Sequence, residues 1–167
     1  MRTSVLFLLT CLFVACQPES PAPTDPPSMR VQITGEPEVA FSDFSGEINT
    51  DYETSKLVKA SFSATNEQGD TTLTITLDDQ DENAFPFRDA LPFKLEPGSL
   101  AKATFTYLRG VEEVIGLSGE ILVTDFERGR VDGQDVMYLS GTMAVNTTFN
   151  PLIGLFANLP LRCGECE

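Results

Sequence analysis

From Met29 onward the chain alternates apolar and polar residues, the period of a half-buried strand. In "KLVKASFSA", Val58, Ala60, Phe62 and Ala64 share one face, and in "TTLTITLDD" Leu73, Ile75 and Leu77 oppose Thr72, Thr74 and Thr76. In "AKATFTY", Ala101, Ala103, Phe105 and Tyr107 alternate with Lys102, Thr104 and Thr106. The same reading turns Leu117, Gly119, Ile121 and Val123 inward, and likewise Met137, Leu139, Gly141, Met143 and Val145. Val31/Ile33 and Phe44/Gly46/Ile48 add two earlier strands. No segment carries a convincing helical stripe; "NPLIGLF" alone has a helix-like start, with Asn150 as cap and Pro151 in the first turn.

Two connections read as hairpins. Residues 66–70, "NEQGD", form a five-residue loop with Gly69 available for positive φ, and "ERGRVDGQD" holds a turn flanked by Asp125, Glu127, Asp132 and Asp135. Arg128 and Arg130 lie among those acids, so surface ion pairing accounts for the cluster. The phrases "FSGEI", "LSGEI" and "LSGTM" recur at irregular spacing, each with its glycine on the apolar face. A missing side chain there makes room for a bulky neighbour or lets the strand bend. The expectation is an all-β protein: a single antiparallel β-sandwich or barrel-like domain over residues 29–161, followed by a C-terminal tail at 162–167 that carries the C-x-x-C.

The first residues break the pattern. Arg2 precedes an apolar run from Val5 to Val14, and Ala15 stands before Cys16. That is the layout of a secretory signal over residues 1–15, too short to span a bilayer. Residues 17–28, "QPESPAPTDPPS", include five prolines and little apolar surface, which favours an extended tether over residues 16–28. At about 3.1 Å per residue it reaches roughly 35–40 Å. "FVAC" resembles the lipobox of bacterial lipoproteins. That resemblance implies cleavage before Cys16, a diacylglyceryl group on its sulfur and an acylated amine. Gln17, where that family uses aspartate for inner-membrane retention, implies the outer membrane. The residues alone also suit an ordinary secretory signal that leaves Cys16 as a thiol.

Composition then narrows the chemistry. Removing residues 1–15 removes one cation of eleven against 25 acids, so the formal charge moves from −14 to −15. Such a surface repels nucleic-acid phosphate. Without histidine there is no Ser-His-Asp triad, Cys-His pair or His-ligated metal. Cys163 and Cys166 follow Pro160 at the end of the chain, where no helix follows them as in a thioredoxin-like pair. A local Cys163–Cys166 disulfide is favoured outside the cytoplasm, with a partner-directed or free thiol as the alternative.

Asp79, Asp81 and Asn83 have the D-x-D-x-N spacing of a calcium loop. The EF-hand pattern then breaks at Ala84 and Ala90, so a solvated connection is the competing reading. No other cofactor is expected. "AFPFRDALPF", residues 84–93, places three phenylalanines between strands. They serve either as a patch for an envelope protein or apolar ligand, or as core.

The order of strand, hairpin, proline-rich middle, "SGEILVTDF", "SGTMAV" and "GLFANLP" resembles a group of bacterial lipoproteins with no assigned activity. Ser140-Gly141-Thr142-Met143 matches their S-G-T-F-type strand, and Gly154, Phe156, Asn158 and Pro160 their terminal G-x-F-x-N-x-P strand. The resemblance implies a β-sandwich or barrel with a lipid anchor, and makes "IGLFANLPL" a final strand. The function expected is a lipid-anchored binding or structural module of the envelope and not an enzyme, with a carboxylate-dependent enzyme acting on cell-wall or surface glycans as the alternative.

Overall fold

The computed structural model describes residues 23–51, 56–79, 91–96 and 101–166. Among them there is no helix. The strands are β1 (Ser28–Ile33), β2 (Val39–Asp51), β3 (Lys56–Asn66), β4 (Thr71–Asp79), β5 (Leu91–Lys94), β6 (Ala101–Arg109), β7 (Glu112–Val131), β8 (Gln134–Thr147) and β9 (Leu152–Cys166). They close into a barrel in the order β1-β2-β3-β4-β6-β5-β7-β8-β9, and β1 pairs with β9 to complete the ring. Of the two architectures the alternation allowed, the barrel is the one formed. Closure removes the sheet edges that a sandwich would leave.

The inward positions fill the interior. Ala60, Phe62, Leu73, Ile75, Leu77, Phe105, Tyr107, Ile121, Leu139, Met143 and Phe156 all lie in one buried cluster. The Phe62 and Phe156 rings meet with centroids 5.6 Å apart, tilted by 52°. Burial pushes the Tyr107 hydroxyl above its ordinary pKa. With apolar residues inside and mostly Ser, Thr and charged residues outside on β2, β3, β4 and β6, the pattern is the reverse of a membrane-spanning barrel. No helix of the described residues is long and apolar enough to cross a membrane.

The recurring glycine phrases are packing devices. At Gly141 a β-carbon would sit 2.5 Å from the Phe156 ring. One residue earlier, the Ser140 hydroxyl accepts a hydrogen bond from the Asn158 backbone N–H at 3.0 Å. Asn158 has φ 53°, a left-handed conformation that asparagine tolerates. The S-G-T-M stretch of β8 and the G-x-F-x-N stretch of β9 therefore interlock across a register shift between Leu139 and Gly141. Gly119 does the other job: at φ 119°, it lets β7 bend where a β-carbon would strike the Ala144 backbone.

Three expectations need correction. The register of β7 shifts between Gly116 and Ser118, so Leu117 turns outward and is 58% exposed instead of entering the core. The chain does not end in a free tail after Pro160: β9 continues to Cys166 and pairs in parallel with β2, Arg162 opposite Glu47 and Cys163 opposite Ile48. Pro160 is tolerated because it lies between Ala157, which pairs with β1, and Arg162, which pairs with β2, where β9 has a partner only on its β8 side. Finally, the described end of the proline-rich segment is held. Ser28 already belongs to β1, and the Asn158 side chain donates to the Asp25 carbonyl at 3.2 Å.

Candidate functional site

Alternation that fills the interior also fixes which side chains reach the outer wall. Register places Arg162, Glu47, Ser61, Thr76 and Thr104 in one outward row across β9, β2, β3, β4 and β6. The next row holds Ser45, Ser63, Thr74 and Thr106. Cross-strand hydroxyls pair directly: Ser61 with Thr76 at 3.3 Å, Ser63 with Thr74 at 3.4 Å and Thr65 with Thr72 at 3.4 Å. Such pairs suit a solvent-facing pleat and add modestly to sheet stability. Each pair consumes one proton and leaves one O–H and several lone pairs for a ligand.

The β7–β8 hairpin forms the facing wall. Its tip is Asp132-Gly133, both at positive φ, the geometry of a two-residue turn that matches strand twist. Two ion pairs brace it, Arg128–Asp135 at 2.9 Å and Arg130–Asp135 at 3.5 Å. Tyr138 points outward yet is buried, because its ring covers the space over Gly129. Between hairpin and hydroxyl wall lies a groove of ≈ 680 Å³. Ser45, Ser61, Ser63 and Thr74 line one side; Val131, Asp132, Gln134 and Val136 line the other, with Pro160 and Arg162 between. Two smaller depressions of ≈ 460 and ≈ 310 Å³ continue from it, and Glu47 borders all three.

Arg162 stands apart electrostatically. Arg30 pairs with Glu38, Arg109 with Glu36, and Arg128 and Arg130 with Asp135. Among the described residues Arg162 is the one arginine with no such carboxylate partner, in a chain of formal charge −14.

The residues singled out by sequence fare differently. Cys16 lies outside the described residues, as do Asp81 and Asn83. Asp79 is 4% exposed at the end of β4 and has an interaction partner. Among the described residues, no group of three His, Cys, Asp or Glu is arranged to hold a metal. Cys163 is disulfide-bonded and half-buried against the core, beside the groove; the side chain of Cys166 is outside the described set. Of the aromatic stretch 84–93, residues 84–90 are not described, and Phe93 is fully buried in the core. Sequence reading missed Arg162 and Glu47, which lie 115 positions apart and meet only through the parallel β2–β9 pairing.

A second surface feature lies at the end of the barrel away from Ser28. Of the eight exposed large apolar residues among those described, six gather there: Leu108, Val111, Ile115, Leu117, Phe149 and Ile153. Val111 is fully exposed at the β6–β7 turn, and Phe149 is 63% exposed in the β8–β9 loop, where Thr148 donates its backbone N–H to the Ile115 carbonyl. Glu112 and Glu113 border this patch on β7, Glu113 directly opposite Leu108.

No family model, curated protein or solved structure matches the chain, so its chemistry rests on this geometry.

Proposed function

We propose that this chain is a lipid-anchored binding module of the bacterial cell envelope, tethered through Cys16 and presenting the far end of its barrel to a protein partner. The observation that carries the reading is the clustering of exposed apolar side chains towards the Ile33 end of β1, away from its Ser28 end, which the proline-rich segment joins. Asn158 holds Asp25 beside β9 beyond Ser28, while Leu108, Val111, Ile115 and Phe149 lie on the other side of the barrel's length. Scattered exposed apolar residues need no explanation; a contiguous patch with a polar border marks an interaction surface. The border here is acidic, Glu112 and Glu113 with Glu67 and Asp70 on the neighbouring β3–β4 turn. A partner surface with an apolar centre and a lysine- or arginine-rich rim complements it. Anionic headgroups, or a second copy of the same patch, would face like charge.

Two measurements test the proposal. Intact-mass analysis of membrane-extracted protein should begin at Cys16 with acyl mass added, and Cys16→Ser should remove the protein from the membrane fraction; an unmodified start elsewhere overturns the anchor. A photo-crosslinking residue at Phe149 should then capture a discrete envelope protein, whereas one at Thr104 should not. Adding Glu113→Lys and Ile115→Ser should abolish the adduct. Equal capture from both positions, or capture unaffected by the two substitutions, rejects the patch as the docking surface.

A further inference from the structure

The groove beside Arg162 has chemistry that the distal patch lacks. We propose that it binds an acidic oligosaccharide, a chain of hydroxyl-rich rings carrying at least one carboxylate. The inference stands on the groove alone and is independent of the partner surface described above.

Three observations select this ligand class. The first is the wall of paired hydroxyls. Ser61/Thr76 and Ser63/Thr74 offer donors and acceptors side by side, and sugar hydroxyls are themselves both. Register sets these groups on neighbouring strands, and adjacent strands lie about 4.8 Å apart, so the span from Arg162 to Thr76 is roughly 14 Å. That is room for an extended ligand and more than a single small ion needs.

The second observation is the opposite wall. Val131, Val136 and Pro160 give an apolar surface for the C–H face of a ring, and Gln134 and Asp132 supply an amide and a carboxylate at its margin. Glu47 borders the floor and can accept from ligand hydroxyls. On this wall β3 and β4 are paired on both sides, so recognition there runs through side chains, which suits a ligand studded with hydroxyls.

The third observation is Arg162 itself. The four other described arginines each pair with a carboxylate of the chain, while Arg162 projects into the groove without one. Its planar fork matches a carboxylate by two parallel hydrogen bonds, stronger than neutral ones. A sugar acid fills that position. The surrounding Glu47 and Asp132 discourage a multiply charged anion such as a phosphate polymer, whereas one carboxylate per ring, held at Arg162, leaves its hydroxyls to meet those acids.

The test is calorimetric titration of the full-length protein in detergent. The probes are tetragalacturonate, tetramannuronate and an α2,8-linked sialic acid trimer, with maltotetraose as the neutral control. At least one acidic probe should bind, and maltotetraose should bind at least about tenfold more weakly, the factor expected of a charge-assisted pair. Arg162→Gln should lose about tenfold or more in affinity for that probe, and Arg162→Lys should recover only part because it lacks the fork. The double variant Ser61→Ala, Ser63→Ala should weaken every oligosaccharide that binds, and Phe149→Ser should weaken none. Unchanged melting temperatures will show that the variants fold. No binding by any acidic probe at about 10 mM overturns the proposal, as does equal affinity of wild type and Arg162→Gln.

Discussion

Two outer walls of this barrel were built by the same alternation and ended with opposite surfaces. On β3, β4 and β6 the outward positions are mostly Ser and Thr, with hydroxyls paired between β3 and β4 and Leu108 as the exception near the end of β6. On β7 and β9 they include Ile115, Leu117, Ile153 and Leu155, each more than 40% exposed. The inward faces of the two walls are alike, with Phe62, Ile75 and Phe105 on one side and Ile121, Leu139 and Phe156 on the other. Folding constrains the interior, where each missing methylene is felt. It leaves the exterior nearly free, so a difference confined to the exterior reports on what each wall meets in solution.

Adjacent residues of β9 give the sharpest way to break that comparison. Phe156 is 2% exposed and touches the Phe62 ring; Leu155 is 47% exposed. Phe156→Ala should lower stability by about 3–5 kcal/mol in denaturant unfolding, through lost transfer free energy and a residual cavity. Leu155→Ser should stay within about 0.5 kcal/mol. Similar losses from both would mean that the outer apolar wall contributes to folding and is no evidence of a docking surface.

The inner half of the comparison was legible in the sequence, and the outer half was not. Period two assigned the core-facing Ala60, Phe62 and Ala64 of β3, Leu73, Ile75 and Leu77 of β4, and Met137, Leu139, Met143 and Val145 of β8, because a strand buried on one face has a single register that hides its apolar set. It failed at Leu117, where one extra residue in β7 inverts the phase, and nothing local in "IGLSGE" announces the shift. It also failed at Pro160. A proline reads as the end of a strand unless one knows that β9 is momentarily unpaired on one side. The short β5 was hidden for a similar reason, since Pro92 sits inside it and only its pairing with β7 reveals it. The groove was out of reach because its walls come from β2, β3, β4, β9 and the β7–β8 hairpin, brought together by closure.

A smaller effect should separate the extension of β9 from the rest of its wall. Cys163 is disulfide-bonded where β9 lies along β2, opposite Ile48. If Cys166 is the partner, the closed loop spans four residues, and the chain-entropy estimate is about 2 kcal/mol at most. Serine at both positions should therefore cost less than Phe156→Ala, and hydrogen exchange should quicken only near residues 47–50 and 162–166. Peptide mapping without reduction should find both cysteines in one peptide. Loss of the whole fold, or linkage of Cys163 to another protein, would show that the disulfide does more than hold this strand end.

The smallest expected effect is an acid-limb difference at the β3–β4 turn, on the hydroxyl wall. Asn66 organises this turn. Its side-chain oxygen accepts from the backbone N–H groups of Asp70 and Thr71 at 3.1 and 3.0 Å, and its amide donates to the Asp70 carboxylate at 2.7 Å. That bond, with a second from the Thr71 hydroxyl at 2.9 Å, holds the Asp70 carboxyl below its ordinary value of 3.8. A carboxyl whose pKa is lowered by folding stabilises the fold above its unfolded value; the contribution is lost as pH falls through the lower, folded value. Asp70 is solvent-exposed, so the difference should be small and screened by salt. Wild type should melt above Asp70→Asn at about pH 7, and the gap should narrow as the pH falls through the lowered value and the carboxyl takes up its proton. The β8–β9 loop is held through uncharged groups, the Thr147 hydroxyl donating to the Asn150 carbonyl at 2.7 Å and accepting from the Phe149 N–H at 3.2 Å, so Phe149→Ser should shift the melting curve equally across the same pH range. A gap for Asp70→Asn that does not change with pH would mean that the turn is held by its backbone geometry and not by the carboxylate.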